Sequence, residues 1–260
     1  MVDDAAKPAL DPRAIMQRAM ATPLPKRFYT AATVEARDGA HVVLLDGRPA
    51  RTPQRNLLAL PTAHAGLALA AEWNAQGETI DPAAMPLTRI VNSALDGVAG
   101  EMEAVRAEIV KYSGSDLVCY RADEPAVLAA MQAAAWDPVL AWARDALGAR
   151  FTLGFGVIHV MQPEAARAAV AAEVSRFATP IPLAALNVMT TLTGSALLAL
   201  GVARGRLAAQ EAWAAAHVDE DFQASRWGAD EEAALRRANR WREMDAAALA
   251  VQFIHQTDRR

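Results

Sequence analysis

Hydrophobic positions follow two periods along the chain. Short apolar runs at 28–36, 41–45, 48–52 and 56–60 are separated by Asp38-Gly39 and Asp46-Gly47, and the last run ends at Pro61. An Asp-Gly pair between β-prone runs predicts a hairpin, because Gly supplies the positive φ of a tight turn. In His41-Val42-Val43-Leu44-Leu45 both strand faces are apolar, as in a strand covered on two sides. A small, twisted antiparallel sheet is expected here.

From Thr62 the period becomes helical. Thr62 is a candidate N-cap, and Gly77 sits where a terminating glycine would. Asp81-Pro82 offers a second cap followed by Pro at the first helical position. Helical runs follow at 87–95 and 101–112, then a β-prone piece at 116–120. A helical stretch at 124–147 is expected to break at Trp136-Asp137-Pro138, since Pro disfavours helix in the residue before it. The segment 150–161 reads as strand or extended linker. Helices return at 163–177, 183–203, 208–227 and 230–255, with a corner at Trp227-Gly228-Ala229-Asp230. The class is α+β, with a small antiparallel β-containing N-terminal domain (27–84) followed by a larger α-helical bundle domain (85–260). Residues 1–26 read as a flexible leader.

Composition and charge narrow the role. The 260 residues are 53% hydrophobic and 22% charged, a globular balance. A net charge of −4 with dispersed Lys and Arg argues against a nucleic-acid partner, since phosphate neutralisation needs clustered cations. The single cysteine, Cys119, rules out an intrachain disulfide framework and fits a reduced compartment. The leader carries Asp3, Asp4 and Lys7 with no apolar core, so neither a secretory nor an organellar signal is expected there, and the cytoplasm is the expected place of work. Residues 177–203 carry no charge and are long enough to span a bilayer. They also hold Pro180, Pro182, Asn187, Thr190 and Ser195, which favours a buried core helix over a membrane span.

Catalytic motifs are missing. There is no phosphate-binding glycine loop and no dinucleotide fingerprint, and Gly194-Ser195 lacks nucleophile-elbow spacing. The histidines (His41, His64, His159, His217 and His255) are scattered singly, so no metal site and no cofactor are expected.

One cluster stands out, from Trp213 through His217, Asp219-Glu220-Asp221-Phe222-Gln223 and Arg226 to Trp227-Gly228. On one continuous helix at about 100° per residue, Trp213, Glu220, Gln223 and Trp227 share a face, with Asp219 and Asp221 at its edges. A carboxylate in the middle of a Trp-rich face is costly if buried and unpaired. Either Glu220 is neutralised internally by an arginine such as Arg204, Arg236 or Arg240, or it lines an aromatic-walled groove that meets a partner.

Taken in order, several segments resemble the assembly-factor family that chaperones the alpha subunit of F-type ATP synthase. They are Arg27-Phe28-Tyr29, Leu45-Asp46-Gly47-Arg48-Pro49 with Arg51-Thr52-Pro53, Glu72-Trp73-Asn74-Ala75-Gln76-Gly77, and Met85-Pro86-Leu87-Thr88. Further along come Asp116-Leu117-Val118-Cys119-Tyr120-Arg121, Trp136-Asp137-Pro138, Leu192-Thr193-Gly194-Ser195 and the block from Asp219 to Gly228. The resemblance implies a non-enzymatic chaperone that binds free alpha subunit and holds it against aggregation until beta subunit displaces it. It also implies a functionally sensitive acidic position within Asp219-Glu220-Asp221. The expected partner-binding residues are Glu220, Asp219, Asp221, Gln223, Trp213 and Trp227. No small-molecule substrate is expected. The alternatives are a hydrolase-like enzyme using Glu220 as acid or base, which needs a second carboxylate, and a general protein-binding adaptor.

Overall fold

The computed structural model describes residues 23–156, 158–228 and 230–254. The expected leader up to residue 22 and His255 lie outside the described residues.

Four strands form the N-terminal sheet: β1 (Ala32–Arg37), β2 (Ala40–Leu45), β3 (Arg48–Pro49) and β4 (Ala59–Leu60). β2 is central and pairs antiparallel with the other three. Both expected hairpin turns form. Asp38 and Gly39 take φ of 50° and 80°, and Asp46 and Gly47 take 48° and 78°, the left-handed pair that matches strand twist. Val42 to Leu45 are all buried, as their unbroken apolar run requires. β1 starts at Ala32 rather than at residue 28 because the chain from Arg27 to Ala31 is tied elsewhere. Arg27 donates to the carbonyls of Tyr29, Thr30 and Gln76, and the Tyr29 hydroxyl donates to the Trp73 carbonyl at 2.6 Å.

Helix α1 (Ala63–Asn74) covers the sheet. Thr62 caps it by accepting from the Ala65 amide at 3.2 Å. Gly66 permits close approach, since a Cβ there would sit 2.8 Å from Cγ1 of Val34. The helix ends at Asn74 with Ala75 as its cap, not at Gly77. The Asn74 amide turns back and bonds both the N–H and the C=O of Ala32 at 2.8 Å, so the strand sets where the helix stops.

The helical part comprises α2 (Pro86–Asp96), α3 (Met102–Tyr112), α4 (Ala126–Leu147), α5 (Glu164–Val174), α6 (Pro180–Thr193), α7 (Ala196–Ala203), α8 (Ala209–Ala216), α9 (Val218–Trp227) and α10 (Glu231–Val251). Strands β5 (Tyr120–Arg121) and β6 (Gly154–Phe155) form a short parallel pair. Three expectations need correction. The 116–120 piece is mostly a single 3-10 turn, Leu117–Cys119, capped by Asp116. α4 runs unbroken through Pro138. The missing amide there costs one helical bond, but tertiary contacts hold the two residues before it. The Trp136 indole N–H donates to the Ala215 carbonyl at 2.7 Å, and Asp137 pairs with buried Arg121 at 2.8 Å. The expected helix at 183–203 is two helices, because Gly194 takes φ +66° and Ser195 starts α7 by accepting from the Leu198 amide at 3.0 Å.

α6 and α7 are the centre of the bundle. Leu183, Leu186, Met189, Leu197, Leu198 and Leu200 are fully buried, each contributing about 1.5–3 kcal/mol relative to exposure. The charge-free stretch is therefore core helix. By length and composition α4 could cross a membrane, the one such helix among the described residues. It nonetheless carries Asp137, Arg144 and Asp145 and packs Trp136, Val139 and Ala143 into the core. Buried residues from Tyr29 to Phe253 form one connected cluster.

Two carboxylates, the half-buried Glu72 and the fully buried Asp116, join distant segments. Glu72 on α1 accepts from the amides of Leu87 and Thr88 at the start of α2, both at 2.7 Å. Asp116 accepts from the Val118 amide and, across the core, from the Leu197 amide at the start of α7, at 3.1 Å. Orphan helix N–H groups are natural sites for negative charge. Burial pushes the Glu72 carboxyl up, and it pushes Asp116 up to about 6 against the pull of its hydrogen bonds from Ser195, Leu197, Val118 and Ala196.

Candidate functional site

The acidic block does not lie on one continuous helix. His217 takes φ −117° and ψ 20° and separates α8 from α9, so the expected face from Trp213 to Trp227 is divided in two. Trp213 is 8% exposed and packs its ring on His217 and Trp241, at centroid distances of 4.0 and 5.7 Å. Trp227 is 78% exposed. The two tryptophans are therefore not walls of one groove. Trp213 belongs to the core, and Trp227 stands at the α9–α10 corner. That corner forms as the sequence predicts, with Gly228 at φ 90° and Asp230 capping α10 through the Glu232 and Ala233 amides.

The acidic residues separate by role. Asp219 accepts from Gln132 of α4 at 2.7 Å, and Gln132 in turn accepts from the Ala122 amide at 2.8 Å. Asp219 thus anchors the first turn of α9 to α4. Asp221 pairs with Arg237 of α10, whose guanidinium is held above its ordinary range by that bond. Glu220 has a side chain 63% exposed, and its nearest basic partner is Nε2 of His217 at 3.6 Å. None of the three arginines expected to neutralise it does so. Arg204 pairs with Glu173 at 2.7 Å, Arg236 with Asp230 and Glu232, and Arg240 donates to the Leu192 carbonyl at 3.0 Å. Burial of Glu220 was the premise of the internal-pair reading, and the break at His217 removes it by turning Glu220 outward.

Glu220, Gln223 and Trp227 line a cleft of about 570 Å³ between α9 and the first half of α10. His217, Asp230, Arg236, Arg237 and Arg240 complete its charged lining. The arginines facing Glu220 from α10 fall at i, i+1 and i+4, a helical spacing legible in Arg236-Arg237…Arg240, although Arg237 could be assigned to Asp221 only in three dimensions. His217 is buried. Its Nδ1 donates to the Trp213 carbonyl at 2.7 Å, which leaves Nε2 facing Glu220. Burial lowers its pKa, as do Arg237 and Arg240, against the Trp213 bond and the Glu220 charge. α10 changes character along its length. Residues 231–240 are almost all exposed, whereas Met244 and 246–248 are buried. The cleft therefore lies on a part of the molecule that projects from the core.

The cleft holds two solvent-exposed carboxylates, Glu220 and Asp230, and one imidazole. Asp230 is engaged as the α10 cap and with Arg236, and the guanidiniums are committed to partners within the chain. Among the described residues no group of His, Cys, Asp or Glu is placed to hold a metal ion. Cys119 is buried, and its thiol is pushed far above the ordinary range, mainly by burial, which suppresses nucleophilic character.

A family model described as ATP12 chaperone protein matches residues 26–144. Among solved structures the chain is similar to the Atu1473 protein of Agrobacterium tumefaciens, provisionally described as a chaperone, with 48% identity, 95% of this chain and 92% of that one covered, and a TM-score of 0.86. It is similar to Atp12 from Paracoccus denitrificans at 43% identity, with 88% and 98% covered and a TM-score of 0.82. An aspartate-to-lysine mutant of P. denitrificans Atp12p matches at the same identity and TM-score, with 88% and 97% covered. With these likenesses running over nearly the whole length of each relative, the chain belongs to the ATP12 chaperone family.

Proposed function

We propose that this protein is an assembly chaperone for F-type ATP synthase. It binds the unassembled alpha subunit and holds it from aggregation until beta subunit replaces it, and Glu220 in the α9–α10 cleft is the central contact. The observation that carries the choice of site is the state of Glu220, a carboxylate facing solvent beside Trp227 while the nearby arginines are bound to other groups. Such a charge is available to a cationic group of a partner at little desolvation cost. An exposed tryptophan next to it supplies the aromatic anchor typical of binding hot spots. Release by competition needs only that the alpha–beta contact be stronger than the chaperone contact, so no nucleotide cycle is required. The cytoplasm remains the proposed place of work.

A hydrolase reading would need a second free carboxylate at a set separation. Asp219 is bound to Gln132, Asp221 to Arg237, and Asp230 to Arg236 and the α10 amides, so none of them is free. The test is a pull-down with purified alpha subunit as bait, comparing the natural chain with Glu220→Lys. Retention of the natural chain and loss of the variant support the proposal. Equal retention of both removes Glu220 from the contact.

A further inference from the structure

The segment Arg27-Phe28-Tyr29 is a joint of the fold in two of its three residues. Arg27 is fastened by its guanidinium to three backbone carbonyls, and its amide donates to the Glu78 carbonyl at 2.8 Å. Tyr29 is buried, with its hydroxyl on Trp73. The amides of Thr30 and Ala31 both donate to the Asp46 carboxylate at 2.9 Å. Phe28 alone has no structural task. Its ring is 73% exposed, touching Tyr29 edge-on at 5.4 Å, while the backbone on both sides of it is clamped. A large aromatic ring held rigidly in water is costly for solubility and favourable for binding, because little conformational freedom is lost on contact.

Beside Phe28 lies a pocket of about 490 Å³, floored by Tyr29, Leu45 and Trp73 and edged by Arg48 and Arg51. Its one acid, Asp46, already accepts from the Thr30 and Ala31 amides, which hold its carboxyl below the usual range. Arg51 donates to the Arg55 carbonyl at 2.7 Å, and the exposed Arg48 guanidinium, in no ion pair among the described residues, adds its charge to those that favour the Asp46 carboxylate. Two guanidiniums against one carboxylate leave the lining of the pocket net positive.

We propose that this pocket is a second protein-docking surface, separate from the α9–α10 cleft. Its occupant is an acidic segment of a partner protein that inserts a large apolar side chain against Phe28 and Trp73. The guanidiniums of Arg48 and Arg51 then meet the flanking carboxylates, and the aromatic floor takes the apolar side chain. The surface lies wholly within 28–73, and the proposal does not require the cleft to be a binding site.

The test uses the full chain and a capped peptide of alternating aspartate and leucine, with the lysine–leucine peptide as its counterpart, titrated by calorimetry. Binding of the acidic peptide only is expected, with a loss of about tenfold on Arg48→Glu and a comparable loss on Phe28→Ser. Both positions are exposed, so circular dichroism is expected to remain unchanged. Equal binding of both peptides, or no binding, overturns the proposal. So does loss of peptide binding on Glu220→Lys, which would place the peptide in the α9–α10 cleft. Sedimentation that shows a dimer dissolved by Phe28→Ser would give the surface to a second copy of the chain and overturn it equally.

Discussion

Glu72 and Thr88 are joined twice. The Thr88 amide and its hydroxyl both donate to one carboxylate oxygen of Glu72, at 2.7 and 2.8 Å, and the other oxygen takes the Leu87 amide. A side chain on α1 thus satisfies first-turn donors of α2 that have no partner within their helix, and fixes the sheet region to the bundle. Hydrogen bonds to a partly buried charged group are worth about 1.5–3 kcal/mol each, and losing them strands the donors. Glu72→Ala is expected to destabilise the fold by roughly 2–4 kcal/mol in urea titration. Glu220→Ala, at an exposed position, is expected to stay within about 0.5 kcal/mol.

Asp116 makes stability depend on pH in an unusual direction for an aspartate. Its folded pKa of about 6 lies above its unfolded value of 3.8, so between those limits the folded chain binds more protons than the unfolded one. This group's contribution is therefore fully present below pH 4 and is lost as pH rises through 6. Glu72 acts in the same direction. Comparing chemical denaturation of the natural chain with Asp116→Asn from pH 4.5 to 7 isolates the effect. The natural chain is expected to gain stability relative to the variant as pH falls below about 6, by an amount on the order of 2 kcal/mol. A difference independent of pH would show that Asp116 does not titrate in this window.

His217 works in the opposite sense. Burial lowers its pKa from 6.5, so its contribution to stability is present above 6.5 and is lost as pH falls through the folded value. The imidazole is expected to be neutral at pH 7, with the proton on Nδ1 toward the Trp213 carbonyl. Nitrogen NMR of labelled histidine checks both the tautomer and the midpoint. A midpoint above 6.5 would mean that the Trp213 bond and the Glu220 charge outweigh burial.

Much of the fold was legible where local chemistry decides it. The two Asp-Gly turns, the Thr62 cap and the Gly228–Asp230 corner each depend on residues within a few positions of one another. What escaped depends on partners far along the chain. Pro138 sits inside a helix because Trp136 and Asp137 are held by Ala215 and Arg121. Gly194 and His217 break helices that hydrophobic periodicity alone would continue. The second of these misplaced the candidate site. A single helix put Glu220 between Trp213 and Trp227, whereas the break buries Trp213 and turns Glu220 to solvent. The segments that carried the family resemblance prove to meet one another in the fold: Glu72 with Thr88, Arg27 with Gln76, Leu117 with Gly194, and Arg121 with Asp137. Most are joints of the architecture. Phe28 and Trp227 are the large apolar side chains of those segments left facing water, and Glu220 is exposed as well.

The chaperone account is tested most directly by light scattering of isolated alpha subunit at a temperature where it aggregates. An equimolar amount of this protein is expected to suppress the scattering, and Glu220→Lys, with unchanged helical circular dichroism, is expected to lose much of that effect. Scattering of alpha subunit that is unaltered by the natural chain would contradict the account.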